Sequence, residues 1–117
     1  MGFGARVREL RKEAGLSLRE LASRVGIDFT YLSKVELEHV DPPSDRVICD
    51  LARELGADEE EMLALAAKVS QADVREVVER VPEAGIVFRR LQSGELSASQ
   101  IKRMLEITEE EAGAAGE

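Results

Sequence analysis

The residues that stop helices constrain this chain more than any other feature. Gly15, Gly26, the pair Pro42-Pro43, Gly56, Pro82 and Gly94 divide it into short pieces. Glycine readily takes the left-handed turn that ends a helix, and proline cannot continue one. Within each piece apolar residues recur every three or four positions, the helical period, instead of alternating as in a half-buried strand. Phe3, Val7, Leu10 and Ala14 form one such stripe, ending at Gly15. Ser17 opens the next helix with Glu20 three residues on, a capping-box pattern, and Leu18, Leu21, Ala22 and Val25 line its apolar face up to Gly26. Asp28 caps a third helix running to Leu37 with Leu32 and Val35 inward. Ser44 opens a fourth carrying Ile48, Leu51, Ala52 and Leu55, and Asp58 a fifth that runs to Val69. Beyond it, Val74, Val77, Val78 and Val81 share a stripe that starts from Asp73. Pro82 interrupts, Ile86 to Leu91 follow, and Ser97 with Gln100 opens a last helix through Ile101, Met104 and Leu105.

Composition narrows the class further. The chain has 117 residues, of which 44% are apolar, enough for a small core, but aromatics are only 3% and Trp is absent. Strands favour aromatic and β-branched residues, so a sandwich or barrel is disfavoured. Charges interrupt every apolar run before it reaches the roughly 18 residues of a membrane span. The first residues lack the apolar core of a secretory signal, and Arg6 stands where a myristoylation start wants Ser or Thr. One cysteine, Cys49, and one histidine, His39, supply neither a disulfide nor a zinc site nor a Ser-His pair. The carboxylates read as capping and helix-surface groups. The expectation is an all-α protein of a reducing, cytoplasmic compartment that is not an enzyme and needs no cofactor or metal.

Charge is unevenly spread. Residues 1–56 carry nine Lys/Arg against ten Asp/Glu, whereas residues 57–117 carry seven against fourteen, so most of the net −8 belongs to the second half. A nearly neutral first half leaves room for a basic face. The acidic second half suits solubility and contact with a protein partner better than contact with DNA.

The stretch from Gly15 to Glu36, GLSLRELASRVGIDFTYLSKVE, reads as helix, glycine turn, helix. Two short helices joined this way cross steeply, and the second can enter a major groove; on spacing alone, any short helical pair with a glycine turn fits as well. Gly15-Leu16-Ser17-Leu18-Arg19-Glu20-Leu21-Ala22, Gly26-Ile27, Tyr31-Leu32-Ser33-Lys34-Val35-Glu36, Pro42-Pro43-Ser44 and Leu51-Ala52-Arg53-Glu54-Leu55-Gly56 closely resemble the Cro/C1-type (XRE) helix-turn-helix regulators. The resemblance covers residues 4–68. It implies a five-helix, lambda-repressor-like domain, taken here as residues 1–69, acting as a homodimer on a palindromic operator in double-stranded DNA, in bacteria or phage. It makes residues 28–37 the recognition helix, places Phe29, Thr30 and Lys34 at base-reading positions with Ser33 close by, and sets Ser17, Arg19 and Tyr31 against phosphates. Lys34 suits guanine, and Thr30 and Phe29 a thymine methyl; for Phe29, burial or a partner contact is the rival reading. Arg11 and Glu36 match a family pair that bridges the first and third helices.

Three features depart from that family. Glu38-His39-Val40-Asp41 follows the recognition helix where glycine and basic residues are common, so Glu38 and Asp41 are expected to oppose phosphate. Leu18 replaces a glutamine that would donate to phosphate. Residues 70–111 fall outside the domain and more weakly resemble the helical extension of some of these regulators. Val74, Val77, Val78, Val81, Phe88, Leu91, Ile101, Met104 and Leu105 are the residues expected to dimerise there, with a small-molecule cavity the lesser alternative; residues 112–117 are expected to be a frayed tail. The expected function is a transcriptional regulator, a repressor that occludes a promoter. The rival is an antitoxin-like or protease-controlled interaction module that keeps the fold and binds DNA weakly or not at all.

Overall fold

The computed structural model describes residues 2–67 and 70–115, and every regular element among them is an α-helix. The chain divides into two compact units, Met1–Lys68 and Val69–Glu117. The first holds α1 (Phe3–Glu13), α2 (Leu18–Val25), α3 (Phe29–Glu36), α4 (Asp45–Leu55) and α5 (Glu59–Ala66). The second holds α6 (Gln71–Arg80), α7 (Pro82–Ser93) and α8 (Ala98–Ala115).

The first unit has a continuous core. Phe3 and Val7 of α1, Leu21 and Ala22 of α2, Leu32 and Val35 of α3, Ile48, Leu51 and Ala52 of α4 and Met62 of α5 are buried together. Full burial of a Val, Leu, Ile, Phe or Met side chain contributes about 1.5–3 kcal/mol, so the eight of these on five helices hold the short elements that propensity alone would leave marginal. Gly26 and Gly56 end α2 and α4 in the left-handed conformation, at φ 72° and 67°. Ala14 caps the end of α1 and is exposed, leaving its stripe at Phe3, Val7 and half-buried Leu10. α5 stops at Ala66 because Ala67 turns extended; the expected continuation to Val69 falls on Lys68 and Val69, outside the described residues.

Among its described residues the second unit buries none. α6 and α7 pack on one another, with Gly85 so close to α6 that a Cβ there would stand 3.1 Å from Val78 Cγ1. Two boundaries differ from the sequence reading. α6 begins at Gln71, because Ser70 and Asp73 form a capping box in which Asp73 N–H donates to Ser70 Oγ at 3.1 Å. Pro82 sits in the first turn of α7, where its missing N–H costs nothing, so it starts that helix instead of opening a gap before Ile86. The backbone of α8 is helical through Ala115, past the point where a frayed tail was expected, in keeping with the strong helix formers Glu109–Ala112 and Ala114-Ala115; Gly116 and Glu117 lie outside the described residues.

Candidate nucleic-acid interface

α2 and α3 are held by local chemistry at both of their starts. Ser17 Oγ accepts from Glu20 N–H at 3.0 Å, and Glu20 Oε1 accepts from Ser17 N–H at 3.4 Å. Asp28 Oδ1 accepts from Thr30 N–H at 2.7 Å and from the Thr30 hydroxyl. These bonds from Thr30 hold the Asp28 carboxyl below its ordinary range, and a carboxylate at an amino-terminal helix end is stabilised by the exposed N–H groups there.

Tertiary contacts then fix α3. Arg11 Nε donates to Glu36 Oε2 at 2.8 Å and Arg11 Nη2 to Glu36 Oε1 at 3.0 Å, a two-pronged bridge, while Nη1 donates to the Leu16 carbonyl at 2.9 Å. One guanidinium thus joins α1, the α1–α2 turn and the end of α3, and both partners of the bridge are buried. The bond to Glu36 is the leading reason that Arg11 holds its proton more tightly than usual. Gly4 lets α1 touch α3 directly: a Cβ there would collide with the Val35 carbonyl and stand 2.9 Å from the Glu36 carbonyl oxygen.

The residues expected to face DNA differ in exposure. Thr30 and Lys34 are exposed, Ser33 is half-buried, and Phe29 and Tyr31 are half-buried and pack against the core. Because the Thr30 hydroxyl proton is committed to Asp28, its oxygen can only accept, and the rest of what it offers is a methyl group. Ser17 and Arg19 are exposed at the start of α2. The Arg19 guanidinium carbon lies over the Phe29 ring, 4.0 Å from its centroid. Of the other cations in the unit, Arg6 pairs with Glu9 at 2.6 Å, Arg24 with Glu54 at 3.6 Å and Arg53 with Glu59 at 3.4 Å.

The segment after α3 leaves the helix through an unusual backbone conformation. Glu38 has φ 61°, the left-handed position usually taken by glycine, and His39 N–H reaches back to the Lys34 carbonyl at 2.9 Å to close the helix end. The Glu38 side chain folds over Gly2 and Gly4, where α1 has neither a side-chain cap nor an acidic first turn. This places its carboxylate beside the amino end of α1. Cys49 is half-buried, and burial followed by the charge of Glu59 pushes its thiol up, which keeps it protonated.

In the second unit, Val74 and Val78 are half-buried. Val77, Val81, Phe88, Leu91, Ile101, Met104 and Leu105 stand exposed, Val81 and Leu105 to 50% and 52%. An open hollow of ≈ 470 Å³ has Val74, Val78 and Phe88 in its lining. Among the described residues no group of His, Cys, Asp and Glu could hold a metal ion, and no helix is long and apolar enough to cross a membrane.

Comparison with known proteins adds a family. Residues 3–65 match the helix-turn-helix domain family. Over 75 residues, 64% of this chain, the sequence is 36% identical to the propionyl-CoA carboxylase regulator of Cereibacter sphaeroides, and the match spans only 16% of that protein. A chain of the SinR protein/SinI protein complex aligns over 95% of this chain and 98% of its own, at 22% identity and a TM-score of 0.52, which shows a shared fold. The crystal structure of SinR, the master regulator for biofilm formation, in complex with DNA aligns over 52% of this chain and 97% of its own, at 33% identity and a TM-score of 0.49.

Proposed function

Since the chain belongs to the helix-turn-helix domain family, of the XRE type and not an enzyme, we propose that it is a DNA-binding transcription regulator that occludes promoters in the cytoplasm as a homodimer. The observation that carries this reading is the α2–turn–α3 unit, whose second helix is clamped by Arg11 and Glu36 and offers Thr30, Ser33 and Lys34 on its accessible side. In this reading α3 enters the major groove, Lys34 donates to a guanine edge and Thr30 meets a thymine methyl, while Phe29, half-buried against the core, follows the burial alternative to a base contact. Ser17, Arg19 and Tyr31 meet the backbone.

A single such helix reads few bases, so a palindromic operator read by two protomers supplies the rest, with recognition helices about 34 Å apart. The exposed Val77, Val81, Phe88, Leu91, Ile101, Met104 and Leu105 support the second unit as the dimer element, since uncovered apolar surface of this kind marks an association face. The excess of acidic residues after position 57 supports a second reading, in which the same element engages a protein partner.

Selection of duplexes from a random library with the full chain tests the proposal. An enriched inverted repeat, altered at one position per half-site by Lys34→Ala or Thr30→Ala, is expected. No enrichment, together with a monomer in sedimentation at micromolar concentration, overturns it and favours the interaction module.

A further inference from the structure

The ring of Phe29 lies beneath the Arg19 guanidinium, and from this pair we infer that Phe29 is a positioning residue that presents Arg19 to the DNA backbone. The inference rests on the DNA-binding reading above and deepens it at one contact.

Arg19 belongs to the first turn of α2 and Phe29 to the first turn of α3, so the pair spans the two starts of the helix-turn-helix. Phe29 is anchored, half-buried against the core, while Arg19 is exposed. The guanidinium lies at stacking distance from the ring. A guanidinium laid over a ring has one flat side covered and its N–H donors left along its edge. Among the described residues those donors meet no carboxylate or carbonyl, in contrast to Arg6, Arg11, Arg24 and Arg53, which are all paired. The electrostatics therefore leave a cation with its donors unspent, at the opening of the helix that crosses the backbone in this motif.

A bidentate N–H edge matches phosphate oxygens in charge and in geometry. An unsupported arginine must lose side-chain freedom to make that contact, and the ring removes part of that loss before DNA arrives. Phe29 then contributes to affinity for every sequence alike, because phosphates carry no sequence information. A thymine-methyl contact by the same ring would instead depend on sequence.

The test uses the full chain with two duplexes, one of scrambled sequence and one selected by the wild type. Arg19→Ala is expected to weaken binding to both about tenfold and to reduce the salt slope by roughly 0.9 per protomer. Phe29→Leu, which keeps apolar volume without a π face, is expected to weaken both by severalfold in the Arg19 background and by nothing further in the Arg19→Ala background. Phe29→Tyr restores the wild-type value. Independently of DNA, the Arg19 Nε–H resonance shows the ring-current shift in the wild type and Phe29→Tyr and loses it in Phe29→Leu, while far-UV circular dichroism confirms the fold of each variant. Unchanged binding by Phe29→Leu, a loss confined to the selected duplex, or a loss that persists in the Arg19→Ala background overturns the inference alone. A wild type that binds neither duplex at low salt overturns the DNA-binding reading and the inference with it, even where the resonance shift is present.

Discussion

Removing Arg11 from the bridge to Glu36 should cost the first unit most of its stability. The side chains are only 11% and 3% exposed. Arg11→Ala therefore strands a carboxylate in the interior and also deprives the Leu16 carbonyl of its donor at 2.9 Å. Breaking a buried pair on one side costs about 3–5 kcal/mol. A unit of this size has roughly 3–10 kcal/mol to lose, so a drop of about 12–24 °C in melting temperature follows from the lower figure. Arg11→Lys retains the charge but not the fork and should cost about 1–2 kcal/mol. The double replacement Arg11→Met/Glu36→Leu removes both charges and should recover most of the Arg11→Ala loss, remaining about 1–2 kcal/mol below the wild type because the Leu16 carbonyl still lacks its donor. Tyr31 is the sole tyrosine, there is no Trp, and Tyr31 packs against the first unit's core, so its emission during urea unfolding reports that unit alone. A cost below about 1 kcal/mol for Arg11→Ala would mean that Glu36 is solvated without its partner, and a double variant as unstable as the single one would mean that the stranded carboxylate is not the source of the loss; either result would refute the reasoning.

Three further outcomes follow from single features. Gly4→Ala should lower the melting temperature of the first unit, since its Cβ meets the backbone of α3, at a cost of about 1–3 kcal/mol. Gly85→Ala, facing the Val78 side chain with its nearest methyl at 3.1 Å and gaining helix propensity, should stay within about 1 kcal/mol, and equal effects of the two would contradict the close approach of α1 and α3. Because Thr30 holds the Asp28 carboxyl below its ordinary range, the cap's contribution is present above about pH 4 and is lost as pH falls through the lowered folded value. Asp28→Asn should therefore narrow the gap in urea stability between pH 7 and acid, and an unchanged gap would mean that the carboxylate is not the cap. Cys49 should react with iodoacetamide more slowly than free cysteine at neutral pH, and Glu59→Gln should speed it; a rate matching free cysteine would show that burial and Glu59 do not raise the thiol.

What was legible in the sequence was what neighbours in the chain decide. Ser17 with Glu20, Asp28, Gly26, Gly56 and Ser97 with Gln100 are caps or stops whose partners lie within four residues, and each occupies its expected place. The Arg11–Glu36 bridge spans 25 residues and was suggested by family resemblance, not by spacing. The missed features depend on distant packing. Nothing adjacent announces that Glu38 takes a glycine's conformation, and its side chain lies against Gly2 and Gly4, more than thirty positions away in the chain. Likewise the stack of Arg19 on Phe29 arises from the meeting of two helix starts ten positions apart. The start of α6 differs for a simpler reason: Ser70-Gln71-Ala72-Asp73 is a capping-box sequence, so the helix opens at Gln71, ahead of Asp73.

The electrostatics of the first unit bear directly on how a regulator of this kind gains specificity. Four of its arginines are committed to carboxylates, so along α2 and α3 the cations without a carboxylate partner among the described residues are Arg19 and Lys34. Each phosphate neutralised adds roughly 0.9 to the salt slope. A protomer that uses these two therefore gains little from the sequence-independent attraction on which strongly basic DNA-binding proteins rely. Low background attraction weakens operator and competing sites alike, so a larger share of the binding free energy rests on the base contacts. It also makes one protomer a poor binder at physiological salt. Two protomers held together double the number of contacts without making either of them more basic. In the proposed homodimer the apolar residues of α6, α7 and α8 and the sparse charge of α2 and α3 would be two sides of one arrangement, pairing of chains supplying the affinity that surface charge withholds.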